Sequence, residues 1–274
     1  MFTRACTLLL LALSAVSVMA AATRSIKPTI VIVPGAWQLS SAWDEFRAVL
    51  ARAGHQTYHI TLPSIGGTEL PLTGLAEDVA AVRSVLGGLA DHGDNIILLC
   101  HSSGGVVGSN AIEGYDTVSR QAAGKKGGVS RIVYLSAFML PKSKSLLEML
   151  GGVPLPWMVV DGDRVTGDPS LMPEVGFNDL PADEKAYWAT QVTWTSAALF
   201  AAPSQFEPWN NGIPGAYIFE TLDNALPLNL QQGMSQQLEL GPSPRYATIE
   251  TGHCGFLSQP GALLGALKSV INGN

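Results

Sequence analysis

Charge is scarce in this chain. Asp, Glu, Lys and Arg make up 14% of its 274 residues, well below the roughly 25% of an average soluble domain. Set against 47% hydrophobic residues, that balance excludes a disordered chain. Positive charge is scarcer still. Sixteen Lys and Arg against 22 Asp and Glu give a net charge of −6, and no basic run exceeds Lys125-Lys126. Nucleic acid is therefore not an expected partner. Cysteine is nearly missing too. Cys6, Cys100 and Cys254 are too few for a disulfide scaffold, and the last two read as small buried thiols. No HExxH or CxxC spacing offers a metal site, and no organic cofactor is expected. Glycosylation sequons, internal repeats and low-complexity tracts do not occur. The 29 Gly and 17 Pro predict many tight turns instead.

One long apolar run exists, and it is N-terminal. In residues 1–20, Arg4 precedes an apolar stretch from Cys6 to about Val18, with Val18 and Ala20 at the −3 and −1 positions of a cleavage site. This is the layout of a secretory signal peptide. The run is short of the about 20 residues of a membrane span and has no basic stop-transfer flank. The expectation is a secreted protein, free of the membrane after cleavage, with residues 21–274 as one domain.

Beyond the leader, short apolar runs alternate with helical patterns. Strands are predicted at Thr29–Val33, Gln56–Ile60, Asn95–Cys100, Arg131–Ser136, Tyr217–Glu220 and Tyr246–Glu250. Helices are predicted at Trp43–Ala53, Leu75–Leu89, Ser103–Gly114, Pro227–Met234 and Pro260–Ile271. The alternation predicts an α/β fold with a mostly parallel sheet covered on both faces. Regularity fails between Phe138 and about Asn211, which reads as a helical cap, at about 139–211, over the ligand-binding end of the sheet. The cap carries Trp157, Met158, Tyr187, Trp188, Trp194 and Phe200, and Asp161, Asp163 and Asp168 read as a solvated acidic loop.

The most informative segment is Asn95 to Gly105, where a buried strand runs into small residues and then a helix. A nucleophile elbow, G-x-S-x-G, sits at such a junction and needs small neighbours two residues before and after the nucleophile. Cys100 and Gly104 satisfy this for Ser102; for Ser103 the first neighbour would be the bulky His101. A serine needs an imidazole to take its proton. His253, after the last strand, is placed to reach Ser102, whereas His101 should point elsewhere. The orienting acid should lie between them in sequence. Asp223, in the turn past a strand, is preferred to Glu220, which is still on it. The oxyanion hole is expected from the backbone N–H groups of Ser103 and Ala36. Trp37, Trp157 and Trp194 are candidates for lining a substrate pocket.

These residues also carry a resemblance. VPGAW (33–37), CHSSGG (100–105), VYLSAFMLP (133–141), ETLDNALP (220–227) and TGHCGFLSQP (251–260) resemble the α/β-hydrolases related to plant methylesterases and hydroxynitrile lyases, and small secreted fungal α/β-hydrolases. Three departures matter. Pro34 stands where the family often has His, and Cys100 where the elbow has Gly. Gly35 and Cys254 stand where the lyases have a Thr and a Lys. The resemblance implies an α/β-hydrolase fold and a small-molecule ester or lactone as substrate, hydrolysed through Ser102, His253 and Asp223. The same fold also hosts lyases, cyclases, natural-product biosynthetic enzymes and small-molecule receptors.

Overall fold

The computed structural model describes residues 27–68 and 70–272. The leader read at residues 1–20 lies outside them. Among the described residues the strands are, in chain order, β1 (Thr29–Val33), β2 (Thr57–His59), β3 (Asn95–Ser102), β4 (Gly128–Ala137), β5 (Met158–Asp161), β6 (Arg164–Gly167), β7 (Thr195–Ser196), β8 (Gly215–Glu220) and β9 (Arg245–Ile249). Six of them form one sheet in the order β2-β1-β3-β4-β8-β9, with every neighbouring pair parallel.

The uninterrupted apolar strands follow from burial on both faces. All five residues of β1 are buried. Ile30 and Ile32 pack on one side with Trp43, Phe46, Leu50, Leu263 and Leu267, from helices Asp44–Arg52 and Pro260–Asn272 and the short turn before the first of them. Val31 and Val33 pack on the other side with Val82, Leu86, Val106 and Val107, from helices Leu75–His92 and Gly104–Ala111. The expected helices and sheet strands are all present, with ends shifted by a few residues.

The segment after β4 differs from the expected helical cap. It holds short helices, among them Ala182–Thr190 and Ala197–Ala201, but also an antiparallel sheet in the order β5-β6-β7. Its hairpin turns at Gly162-Asp163, between the paired Asp161 and Arg164, and Gly162 has φ 59°. Gly at the first position of a two-residue loop is a hairpin signal, so Asp161 and Asp163 flank and complete a tight turn rather than a loose acidic loop.

The cap sheet is fastened to the loop after β2. Ser196 N–H donates to the Ser64 carbonyl at 2.8 Å, and Gly66 N–H to that of Trp194 at 3.0 Å. Asp78 holds this loop in turn, accepting from Ser64 N–H at 2.9 Å and Ser64 Oγ at 2.6 Å. Burial pushes the Asp78 carboxyl up from 3.8 to about 6. A carboxyl raised in the folded state binds its proton there after the unfolded chain has lost it, so stability falls with rising pH between the two values. Relative to Asp78→Asn, the wild type is therefore expected to lose stability between about pH 4 and pH 6 and to level off above. Urea unfolding of both proteins across that range checks this, and a pH-independent difference would contradict it.

Candidate active site

The loops of interest leave the carboxyl edge of the parallel sheet, where α/β proteins place ligands. β3 ends at Ser102, whose φ is 52°, and helix Gly104–Ala111 begins two residues later. A non-glycine residue at positive φ is strained and tends to mark a functional turn. The turn closes only because residue 104 is small: a Cβ on Gly104 would lie 2.5 Å from the carbonyl oxygens of both Val33 and Pro34.

Asp223 sits three residues past β8. Its Oδ1 accepts from the N–H groups of Ala225 at 2.7 Å and Leu226 at 2.8 Å, which fixes the carboxylate within its own turn. Its Oδ2 accepts from His253 Nδ1 at 2.7 Å and from Ser136 Oγ at 2.5 Å. An ionised carboxylate only accepts, so Nδ1 carries the imidazole hydrogen and Nε2 is left with a lone pair. Ser102 and His253 line the same cavity, with no direct hydrogen bond between them in the free protein. Serine–imidazole pairs are often looser before substrate binds. Ser136, at the end of β4, lies within VYLSAFMLP, but nothing in that motif assigns it to the acid.

His101 does not point away from the site as expected. It faces the buried side of the His253 loop, with ring centroids 4.5 Å apart, and its Nε2 donates to the His253 carbonyl at 2.8 Å. Burial, and next the charge of a protonated His253, push His101 well below the usual imidazole range. It is therefore neutral, and its Nδ1 accepts from Gln38 Nε2 at 3.1 Å. Glu220 is also buried here. Its Oε1 accepts from Gly255 N–H at 2.9 Å and Thr251 Oγ at 3.3 Å, tying the turn that carries His253 to the end of β8. Burial, and next the Asp223 charge, push the Glu220 carboxyl well above its ordinary range. His101, Glu220 and His253 bring ligand-type atoms within 4.8 Å of one another. Both ring nitrogens of His101, and Nδ1 of His253, are already spent on the hydrogen bonds described, which leaves His253 Nε2 open.

The cavity above encloses about 650 Å³ between its walls, including its open mouth. Trp37 and Trp157 line it, with ring centroids 5.2 Å apart, and Phe200 packs on Trp37 at 5.6 Å. Trp194 does not line it. Strand alternation turns Thr195 toward Trp37, and the Trp194 ring lies instead against the Arg164 guanidinium at 4.5 Å. Trp37 also fastens the cap, its indole N–H donating to the Val165 carbonyl at 2.8 Å. No Asp, Glu, Lys or Arg lines the cavity among the described residues; its polar groups are those of Gln38, Ser102, Ser103 and His253, with the Cys254 thiol beside them.

The family model described as "Alpha/beta hydrolase family" matches residues 30–266, nearly all of the described chain. The chain belongs to the alpha/beta hydrolase family. Among its relatives, "Probable hydrolase R7" of Phoma sp. is 26% identical over 239 residues, covering 85% of this chain and 94% of the relative. "Alpha/beta hydrolase nvfD" of Aspergillus novofumigatus is 24% identical over 250 residues, covering 89% and 97%. An extracellular alpha/beta-hydrolase from a Paenibacillus species, itself homologous to tobacco Salicylic Acid Binding Protein 2, superposes with a TM-score of 0.72 at 18% identity over 89% of this chain and 99% of that one.

In this alpha/beta hydrolase the first small residue of the elbow is Cys100, and a matching absence accommodates it. Any Cβ at position 108 would overlap the Cys100 Sγ, so the thiol fits only because Gly108 faces it across the strand–helix contact. Cys100 and Cys254 are both buried free thiols. Gly108→Ala normally favours a helix; here it is expected to destabilise by about 1–3 kcal/mol through overpacking. In a Cys100→Gly background the same substitution should cost little. A double-mutant cycle by denaturant unfolding measures the coupling, and additive effects would contradict the contact.

Proposed function

We propose that this protein is a secreted serine hydrolase that cleaves a small-molecule carboxylic ester or lactone through an acyl-enzyme. The observation that carries the reading is one alignment. The strained Ser102 and His253, whose Nδ1 is hydrogen-bonded to Asp223 at 2.7 Å, line one apolar cavity together. Ser102 Oγ attacks the substrate carbonyl, and His253 Nε2 takes its proton and then passes it to the leaving oxygen. Asp223 holds the imidazole tautomer and stabilises the imidazolium without taking the proton. The N–H groups of Ala36 and Ser103 bind the developing oxyanion. Water, activated by the same imidazole, releases the acid and regenerates Ser102. No step calls on a metal or an organic cofactor.

Two features favour ester hydrolysis over lyase chemistry. Gly35 has no hydroxyl to offer at the Thr position of the lyases. Cys254, at their Lys position, is a buried thiol, a group that carries no positive charge in any protonation state, so it brings no cation to a leaving group. The uncharged walls favour an apolar, uncharged substrate, because a charge placed there would be desolvated without a partner. The leader at residues 1–20 supports secretion; N-terminal sequencing of protein from the culture medium is expected to find residue 21 first.

Kinetics on a simple p-nitrophenyl ester test the assignment. Ser102→Ala is expected to lose activity by roughly 10⁴-fold or more while staying folded. Asp223→Asn is expected to leave His253 in the wrong tautomer and lower kcat by about 10⁴-fold. Glu220→Gln keeps an acceptor for Gly255 and Thr251 and resembles the protonated acid, so about tenfold or less is expected. An inactive Glu220→Gln beside an active Asp223→Asn would overturn the acid assignment. Full activity in Ser102→Ala would overturn the mechanism.

A further inference from the structure

Three consecutive N–H groups in the loop after β1 each donate to a side-chain oxygen. Gly35 donates to Gln38 Oε1 at 3.2 Å, Ala36 to Ser103 Oγ at 2.8 Å, and Trp37 to Thr195 Oγ1 at 2.8 Å. Two of these acceptors are locked. The Gln38 amide is held at both ends, by the Trp43 indole N–H and by His101. Thr195 is fully buried on β7 and β-branched, hence stiff at χ1. Ser103 differs from both. It stands on the cavity wall, and its side chain makes no capping hydrogen bond to helix Gly104–Ala111. Among the described residues its own hydroxyl hydrogen meets no acceptor. A serine oxygen can exchange staggered positions without moving the backbone.

This arrangement bears directly on Ala36 as an oxyanion donor. An amide carries one hydrogen, and that of Ala36 already points at Ser103 Oγ. An oxyanion held about 2.7–3.1 Å from the Ala36 nitrogen would need the same direction. We propose that the Ser103 side chain is a rotamer switch in the oxyanion hole: its oxygen occupies the Ala36 N–H in the free protein, and the substrate carbonyl oxygen displaces it. The proposal rests on the serine-hydrolase reading above. Its consequence is counter-intuitive for a serine beside the nucleophile. The resting hydrogen bond exists before the transition state and is lost on reaching it, so it opposes catalysis. Removing the hydroxyl should accelerate acylation. One neutral hydrogen bond corresponds to about a fivefold effect.

The test compares wild type with Ser103→Ala for the rate at which a fluorophosphonate labels Ser102 and for the affinity of a phenylboronic acid. Labelling about fivefold faster and boronate binding about fivefold tighter are expected, with a folding equilibrium in urea weakened by up to about the same factor, because the lost hydrogen bond belongs to the free folded protein. Slower labelling or weaker binding would show that the hydroxyl donates to the oxyanion, and equal values would show that it is not in the way; either overturns the switch alone. Labelling absent from both proteins would overturn the serine-hydrolase reading and the switch with it. A crystal structure of the wild-type phosphonyl adduct gives a second readout, independent of the variant. The Ser103 oxygen is expected to have left Ala36 with a phosphonyl oxygen in its place, and an unmoved Ser103 oxygen overturns the proposal.

Discussion

The arrangement at the carboxyl edge of the sheet turns on the positive φ of Ser102. Strain of this kind persists only where its surroundings over-determine it. Here they do so from three directions. β3 is paired by β1 as far as Cys100 and by β4 up to Ser102 itself. The Ser102 carbonyl accepts from Phe138 N–H at 3.0 Å, just after β4. Helix Gly104–Ala111 starts so close to the end of β1 that only glycine fits at its first position. The turn lifts Ser102 out of the strand toward the cavity and leaves Ser103 beside the loop after β1.

Behind that turn lies a layer of buried polar groups, and most of its hydrogen-bonding capacity is satisfied. Asp223 receives four donors, two from its own turn, one from Ser136 and one from His253. His101 links Gln38 to the His253 carbonyl, so the loop after β1 and the loop after β9 share one hydrogen-bonded chain. Partly satisfied polar networks are costly in a low-dielectric interior, while satisfied ones fix geometry. This layer therefore holds the imidazole at a set height over the sheet edge. Trp37 continues the same loop upward, its backbone bound to Thr195 and its indole to Val165, so two hydrogen bonds join the cap to the candidate oxyanion hole.

Much of this was legible in the sequence because burial on both faces writes itself as unbroken β-branched and aliphatic runs. Thr29 to Val33 and Asn95 to Cys100 are such runs, and the small residues after them mark the turn. The placement of Asp223 in the turn past β8 and of Glu220 at its end was readable from the strand pattern alone. The cap was less legible. β5 leaves Val159 and Val160 exposed, so it shows no alternation, and the hairpin rests on the Gly162-Asp163 turn, read instead as part of an acidic loop. Trp194 was misplaced because its inward neighbour Thr195 could not be assigned to a strand without its partners. His101 and Ser103 could be placed in the elbow, but their contacts join residues far apart in the chain. Ser103 meets Ala36 across 67 positions and His101 meets His253 across 152, distances over which no local pattern speaks.

The account depends most on Ser102 as the nucleophile. Mass spectrometry of the intact protein and its peptides after reaction with a fluorophosphonate tests this directly. One adduct per chain is expected, on Ser102, and its formation should be blocked by Ser102→Ala. An adduct on Ser103, or no adduct on a protein that still hydrolyses esters, would contradict it.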